Sequence, residues 1–294
     1  MKISIIGAGR VGATAAFVLM ERGLCDELIL IDIAGERAGG EALDLRHSLS
    51  GMRAKIDVVG TSDYSLSKGS DIVIIAAGVS RKPGDSRLDL TKRNAEIMKD
   101  IIENVTKFNE DCILLVVSNP VDVMTYVAQK ISGFPKGKVF GLGTALDTIR
   151  LRSLLSEEYG VDAGDVDAFV IGEHGDAMVP VFSRLDPGKF DREKLEGIFR
   201  NVVVGGGEVI RMKGGTWFAP AVAIADIVES IVEDQKRVIP VSTYIEDLDV
   251  YTGIPSVVSK NGVKAAKVSI DSDEEAMFLK SVEVLKKELA KLDL

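Results

Sequence analysis

The chain has 294 residues, 46% hydrophobic and 5% aromatic, enough to bury a large core in one big α/β domain or two smaller lobes. Its net charge of -9 excludes general nucleic-acid binding, which needs a basic surface, but not a small anion held by a local field. No apolar run approaches the ~18 residues of a membrane span, and Cys25 and Cys112 beside apolar runs read as small buried thiols, so a soluble cytoplasmic protein without membrane contact is expected.

The opening "MKISIIGAGRVGATAA" has the Lys, apolar stretch and small residues of a signal peptide, but Arg10 interrupts it. It reads instead as a strand, a glycine turn and a helix. Apolar runs predict strands at Lys2–Ile6, Leu28–Asp32, Lys55–Val59, Asp71–Ala76, Cys112–Val117 and Val139–Gly141, with helical spacing between them, as in Ala13–Arg22 and Leu88–Lys107. Continuous apolar strands separated by helices indicate a parallel sheet covered on both faces, and right-handed crossovers make it doubly wound.

After Gly141 the rhythm changes. A helix is expected over Thr144–Tyr159, ended by Gly160. Short strands follow at Asp167–Ile171 and Met178–Phe182. A long helical stretch from Leu195 to Val232 is expected to break at Gly205–Gly207 and at Gly214–Gly215. Arg237–Ile245, Val250–Val258 and Gly262–Ser269 alternate with turn residues like an antiparallel meander, and Asp273–Leu292 is an amphipathic helix. The predicted organisation is a dinucleotide-binding domain over 1–142 and a mixed α+β substrate domain over 143–294.

"IIGAGRVGA" places Gly7, Gly9 and Gly12 as G-x-G-x-x-G after a strand and at the start of a helix. Gly7 permits the tight turn, Gly9 lets a pyrophosphate approach the backbone, and Gly12 lets helix and strand pack. The loop, with Ala8, Arg10 and Val11, presents N–H groups and a helix dipole to phosphates. Asp32 ends the next strand, twenty residues after Gly12, where a carboxylate accepts from ribose hydroxyls and repels a 2′-phosphate. NAD is therefore expected over NADP, which Asp32 disfavours without forbidding. Tyr64 and Lys68 spell the Y-x-x-x-K pair of short-chain dehydrogenases, but in a polar stretch before a strand and with the wrong glycine spacing, so they are set aside.

The chain has two histidines. His47 falls in a predicted helix. His174 falls in "VIGEHGDAMVP", where Gly172 and Gly175 mark the end of a strand, a place that suits a catalytic group. Imidazole can take or give the proton of an alcohol while NAD takes the hydride. It works best with a carboxylate on its other nitrogen. "GLGTALDTIRLR" offers Asp147, with Arg150 three residues on and so on the same helix face; spacing alone is equally that of a surface salt bridge.

The stretches "GAGRVGATAA", "LIDI", "GEALDLRHS", "AAGVSRKPGDSRLDLTKRN", "VVSNPVDV", "GLGTALDTIRLR" and "GEHGDAMVP" together make the chain similar to the lactate/malate dehydrogenase family over nearly its whole length, and closest to its lactate-dehydrogenase-like malate dehydrogenases. The resemblance implies His174 as proton acceptor, Asp147 as its partner, and Arg150 as a bidentate clamp on the substrate α-carboxylate. It implies that Arg87 polarises the reacting oxygen and that Asn119 bonds substrate and cofactor. Val117, Ser118 and Asn94 would lie near the cofactor. It also implies a cis bond at Asn119–Pro120, a homodimer or homotetramer with His47 at a subunit contact, and no metal.

Within the family, a neutral Gln faces the far end of lactate, whereas malate enzymes carry Arg; the equivalent residue here is Arg81. The expectation is therefore malate dehydrogenase, with a dicarboxylate as partner and Arg81 on its second carboxylate. A loop shaped by Pro83-Gly84 would close over the ligands. The alternatives are a lactate or other 2-hydroxy acid dehydrogenase, and an NAD-binding module without turnover.

Overall fold

The computed structural model describes residues 1–80 and 87–292. The first half runs β1 (Lys2–Ile6), α1 (Arg10–Glu21), β2 (Glu27–Ile31), α2 (Gly35–Met52), β3 (Asp57–Thr61), β4 (Ile72–Ile75), α3 (Arg87–Thr106), β5 (Ile113–Val116), α4 (Val121–Ser132) and β6 (Val139–Gly141). The second runs α5 (Ala145–Tyr159), β7 (Phe169–Ile171), β8 (Val179–Val181), α6 (Arg192–Lys213), α7 (Phe218–Val232), β9 (Arg237–Ile245), β10 (Val250–Ser259), β11 (Gly262–Ala265) and α8 (Ser272–Leu289).

Strands β1 to β6 are parallel in the spatial order β6-β5-β4-β1-β2-β3, the doubly wound arrangement expected from the alternating runs. Their register sets Ile3 beside Leu28 and Ile72, and Ile5 beside Leu30 and Ile74. All six are fully buried, which is why these strands read as unbroken apolar runs instead of alternating ones. Helices α1 and α4 close the faces with Ala15, Ala16, Leu19, Met124 and Val127, and α7 is buried through nine of its residues.

The structure departs from the sequence reading in two places. First, β9, β10 and β11 do not form a sheet of their own. They extend the parallel sheet to nine strands among the described residues, β9 lying antiparallel to β6 with Gly141 opposite Ser242. The alternation expected of a meander is present, but it cannot reveal that an edge strand 100 residues earlier is free to pair. Second, α6 runs unbroken through Gly205–Gly207 and stops at Gly214, where φ is +80°. Each helical glycine costs about 1 kcal/mol relative to Ala, offset here by burial of Leu195, Ile198 and Val202 and by an Asp191 cap on Lys194 N–H.

Tyr64 begins a capped 3-10 turn, Tyr64–Ser67, and Lys68 follows its end before β4, so the two do not share a catalytic helix. His47 is an exposed residue of α2. Cys25 and Cys112 are buried, unpaired thiols, and burial pushes the first up to about 11 and the second to about 12.

The C-terminal helix is fastened by one buried carboxylate. Glu274 accepts from Phe182 N–H at 2.7 Å, Ser183 N–H at 2.8 Å and the Ser183 hydroxyl at 2.6 Å, and reaches back to Asp271 N–H at 3.1 Å in a capping box. Glu274→Ala strands these donors, so urea unfolding is expected to show a loss of about 3 kcal/mol or more.

Candidate active site

Strands β1, β4 and β5 are neighbours in the sheet, and the crevice outside their C-terminal ends is the usual place for a ligand in a sheet of this order. The glycine loop follows β1. Gly7 has φ +103°, and a Cβ there would lie 2.6 Å from Ala77 N, so the turn is jammed against the end of β4. A Cβ on Gly12 would lie 2.0 Å from the Gly7 carbonyl oxygen; only glycine lets α1 pack this close. Around Gly9, by contrast, the space is open, and α1 points its N-terminus at it. That cradle fits a pyrophosphate.

Asp32 secures the loop. Its Oδ2 accepts from Ala8 N–H at 2.8 Å and its Oδ1 from Ala34 N–H at 3.0 Å. A carboxylate has lone pairs left for ribose hydroxyls. Arg10 stacks over Trp217 at 4.9 Å and Val11 packs on the core, so the loop is also braced by the turn between α6 and α7.

Two hydroxyl and amide side chains join the ends of β4 and β5. The buried Ser118 donates to the Ala77 and Ile75 carbonyls at 2.5 and 3.1 Å. Asn94, 4% exposed, accepts from Val79 N–H at 2.9 Å and donates to the Asn119 carbonyl at 2.7 Å. Its own bonds therefore hold the crevice walls together. Val117 is half-buried there, and Asn119, exposed, precedes a cis bond to Pro120.

On the facing side, α5 presents Asp147, fully buried, beside His174 and Arg150. His174 Nδ1 lies 2.5 Å from Asp147 Oδ2, and Arg150 Nη1 donates to Asp147 Oδ1 at 3.1 Å. The spacing of three residues thus serves a triad around one buried carboxylate, with His174 and Arg150 half-buried, and not a surface pair. Burial would raise the Asp147 carboxyl, but the attraction and hydrogen bonds of His174 and Arg150 outweigh it and hold the group below its ordinary value. For His174, burial acts downward, while Asp147 raises the imidazole to about 9. An ionised Asp147 keeps a proton of the ring on Nδ1 and leaves Nε2 as the nitrogen that can exchange one.

The loop between β7 and β8 carries His174 and is tied from several sides. Gly172 exchanges main-chain bonds with Gly253 of β10 at 2.8 and 2.9 Å. Glu173 N–H donates to Ser281 of α8 at 2.7 Å, and His174 N–H to Asp122 of α4 at 2.9 Å. Helix α5 is aligned with the loop by Val170 N–H on the Thr148 hydroxyl, 2.9 Å, and by Arg152 on the Ala168 carbonyl, 2.9 Å. The Arg150 fork faces α6 at Gly206, where a Cβ would sit 3.5 Å from both terminal nitrogens.

The sequence reading missed Asp122, Ser281 and Gly206. Asp122 stood in the quoted "VVSNPVDV", but nothing in its spacing announces a partner 52 residues away. Arg81 and the Pro83-Gly84 turn lie outside the described residues. Arg87 is the first residue of α3.

The His174–Asp147 pair sets a pH dependence of stability. The folded pKa of His174, about 9, is raised above its ordinary 6.5, so the stabilisation is full below pH 6.5 and is lost as pH rises through 9. Melting temperatures across that window are expected to fall with pH, and Asp147→Asn is expected to flatten this slope.

Comparison with known proteins covers both halves. The model of the lactate/malate dehydrogenase NAD binding domain matches residues 1–141, and that of the lactate/malate dehydrogenase alpha/beta C-terminal domain matches residues 144–293. An L-lactate dehydrogenase of Acetivibrio thermocellus is 43% identical, covering 100% of this chain and 98% of its own. The structure of the minor L-lactate dehydrogenase from Enterococcus mundtii, in a ligand-bound form, is 35% identical with a TM-score of 0.95, over 100% of this chain and 98% of its own. That of malate dehydrogenase from Archaeoglobus fulgidus in complex with NADH is 40% identical with a TM-score of 0.94, over 100% of both chains.

These findings correct the expected substrate. The malate reading is overturned by curated relatives at 40–43% identity that are L-lactate dehydrogenases. The physical reason lies in what carried it. It rested on one side chain, Arg81, and on a second carboxylate that only this side chain would read, whereas the contacts among His174, Asp147 and Arg150 do not depend on that carboxylate. With its glycine cradle, its carboxylate at the end of β2 and both family domains matched, the chain binds NAD and belongs to the lactate/malate dehydrogenase family of oxidoreductases.

Proposed function

We propose that the chain interconverts a 2-hydroxy acid and its 2-oxo acid, with L-lactate and pyruvate as the pair. The observation that carries the chemistry is the His174–Asp147–Arg150 group, in which a buried carboxylate holds a half-buried imidazole and guanidinium. The lactate pair is supported by the curated relatives. NAD supplies the hydride acceptor. The chain's own residues handle the proton, the carboxylate and the orientation.

In this reading Nε2 of His174 accepts the hydroxyl proton as the carbonyl forms, and returns it in the reverse direction. Asp147, already ionised, stabilises the imidazolium and holds its tautomer. Arg150 grips the carboxylate with two parallel N–H groups; its third contact, to Asp147, keeps the fork in plane. Arg87 polarises the reacting oxygen, and Asn119 bonds substrate and cofactor. Gly7, Ala8, Gly9, Arg10, Val11 and Gly12 cradle the pyrophosphate, Asp32 the ribose, and Asn94, Val117 and Ser118 shape the wall beside the nicotinamide.

The boundary between the dinucleotide-binding and substrate-binding halves is placed at residue 142. A homo-oligomer is proposed with α2 at its contact, supported by the exposed Leu43 of that helix; light scattering on the purified chain tests this. The free buried thiols support a reducing compartment such as the cytoplasm. Among the described residues no helix is long and apolar enough to cross a membrane.

Steady-state NADH oxidation is expected to favour pyruvate over oxaloacetate; the opposite preference would overturn the substrate assignment. His174→Ala is expected to lower turnover about a thousandfold while sparing NADH binding. Pyruvate reduction needs the imidazolium, so its rate should be full at neutral pH and fall as pH rises through about 9, with lactate oxidation rising over the same range.

A further inference from the structure

Asp122 takes part in none of these steps, yet it is a buried carboxylate, 3% exposed, at the first turn of α4. Both of its oxygens are engaged. Oδ2 accepts the main-chain N–H of His174 at 2.9 Å, and Oδ1 accepts the hydroxyl of Ser242 on β9 at 2.5 Å. Its partners lie 52 and 120 residues away in sequence. It also stands three residues after Asn119, on the chain that leaves the cis Asn119–Pro120 bond.

We propose that Asp122 is a positioning residue for proton transfer: it anchors the main chain of His174 to the Asn119–Asp122 turn and to β9, so that Nε2 is held in register with Asn119. This rests on His174 being the proton carrier. The geometric reason is simple. Asp147 fixes the imidazole at Nδ1, which orients the ring but does not fix the backbone it extends from. A second anchor on the main chain of the same residue fixes that origin, and the two together set where Nε2 lies. Because the second anchor is only three residues from Asn119, the proton acceptor and the substrate-binding amide move as one body.

A neutral acceptor would serve a purely structural bond without the penalty of burying a charge. Burial does push the Asp122 carboxyl up, to about 6, against the hydrogen bonds of Ser242 and His174 N–H, which lower it. The charged groups facing it are His174 and Glu173 of the β7–β8 loop, with Asp147 and Arg150 of α5 behind His174; β9 brings the neutral Ser242, and α8 the neutral Ser281 beside Glu173. Above pH 6 the ionised Asp122 adds to the field that keeps His174 protonated.

The test compares Asp122→Asn, Asp122→Ala, Ser242→Ala and His174→Ala in the full-length enzyme. Each is measured for pyruvate turnover, pyruvate KM, NADH affinity, melting temperature and the pH profile of reduction. Asp122→Asn keeps an acceptor for His174 N–H and removes the charge, so its pH midpoint should move down from that of the wild type, with turnover reduced roughly tenfold. Asp122→Ala releases the anchor and should lose about a hundredfold in kcat with NADH affinity unchanged. Ser242→Ala should fall between them and the wild type. Should Asp122→Ala fail to fold, the other two variants carry the test. Wild-type turnover and pH midpoint in Asp122→Asn and Ser242→Ala would overturn the proposal, as would losses that only track the folded fraction. If His174→Ala still turns over, the reading of the site itself fails; if it is silent while the Asp122 variants are normal, only the positioning role fails.

Discussion

The Asp147 carboxylate is the interaction on which the rest of this molecule depends. A charge with no exposed surface is strongly unfavourable unless it is paired and hydrogen-bonded. Here it is paired twice, with the His174 imidazole on one oxygen and the Arg150 guanidinium on the other. That requirement dictates geometry. Helix α5 must lie against the β7–β8 loop, and the Thr148–Val170 and Arg152–Ala168 bonds hold it there. The same pairing raises the proton affinity of His174 and fixes the guanidinium of Arg150 against Asp147. Structure and chemistry draw on one buried charge.

The opposite wall solves a different problem, the close approach of a charged ligand to backbone. Gly7 leaves no room for a methyl group because the main chain at Ala76–Ala77, after β4, already occupies it, and Gly12 leaves none because the Gly7 carbonyl does. The space that remains lies at Gly9. Asp32, Asn94 and Ser118 then spend their hydrogen bonds on neighbouring main chain, fixing loops that would otherwise be mobile at strand ends. The nine-stranded sheet joins the two walls, since β9 pairs with β6 and sends Ser242 toward Asp122.

Much of this was legible in the residues. Unbroken apolar runs announced buried parallel strands, and the glycine spacing with Asp32 announced the dinucleotide cradle. His174 between two glycines and Asp147 three residues before Arg150 stood out by residue type and spacing, the resemblance assigned their roles, and the structure brings the three together. The limits were equally specific. Helix α6 kept its course through three glycines because packing outweighed propensity. The meander strands were recognised as strands but not as part of the main sheet. The choice of malate rested on Arg81 alone, and relatives with lactate dehydrogenase activity in their names outweighed it.

Local chemistry by itself determined the strands, the cradle and the cofactor, because each depends on neighbours within a few positions. Only the tertiary structure decided that Asp122, Ser242 and Ser281 converge behind His174, that Gly206 faces Arg150, and that one sheet runs through both halves. Those contacts join segments tens to more than a hundred residues apart, and no periodicity in a single chain encodes which distant surfaces will meet.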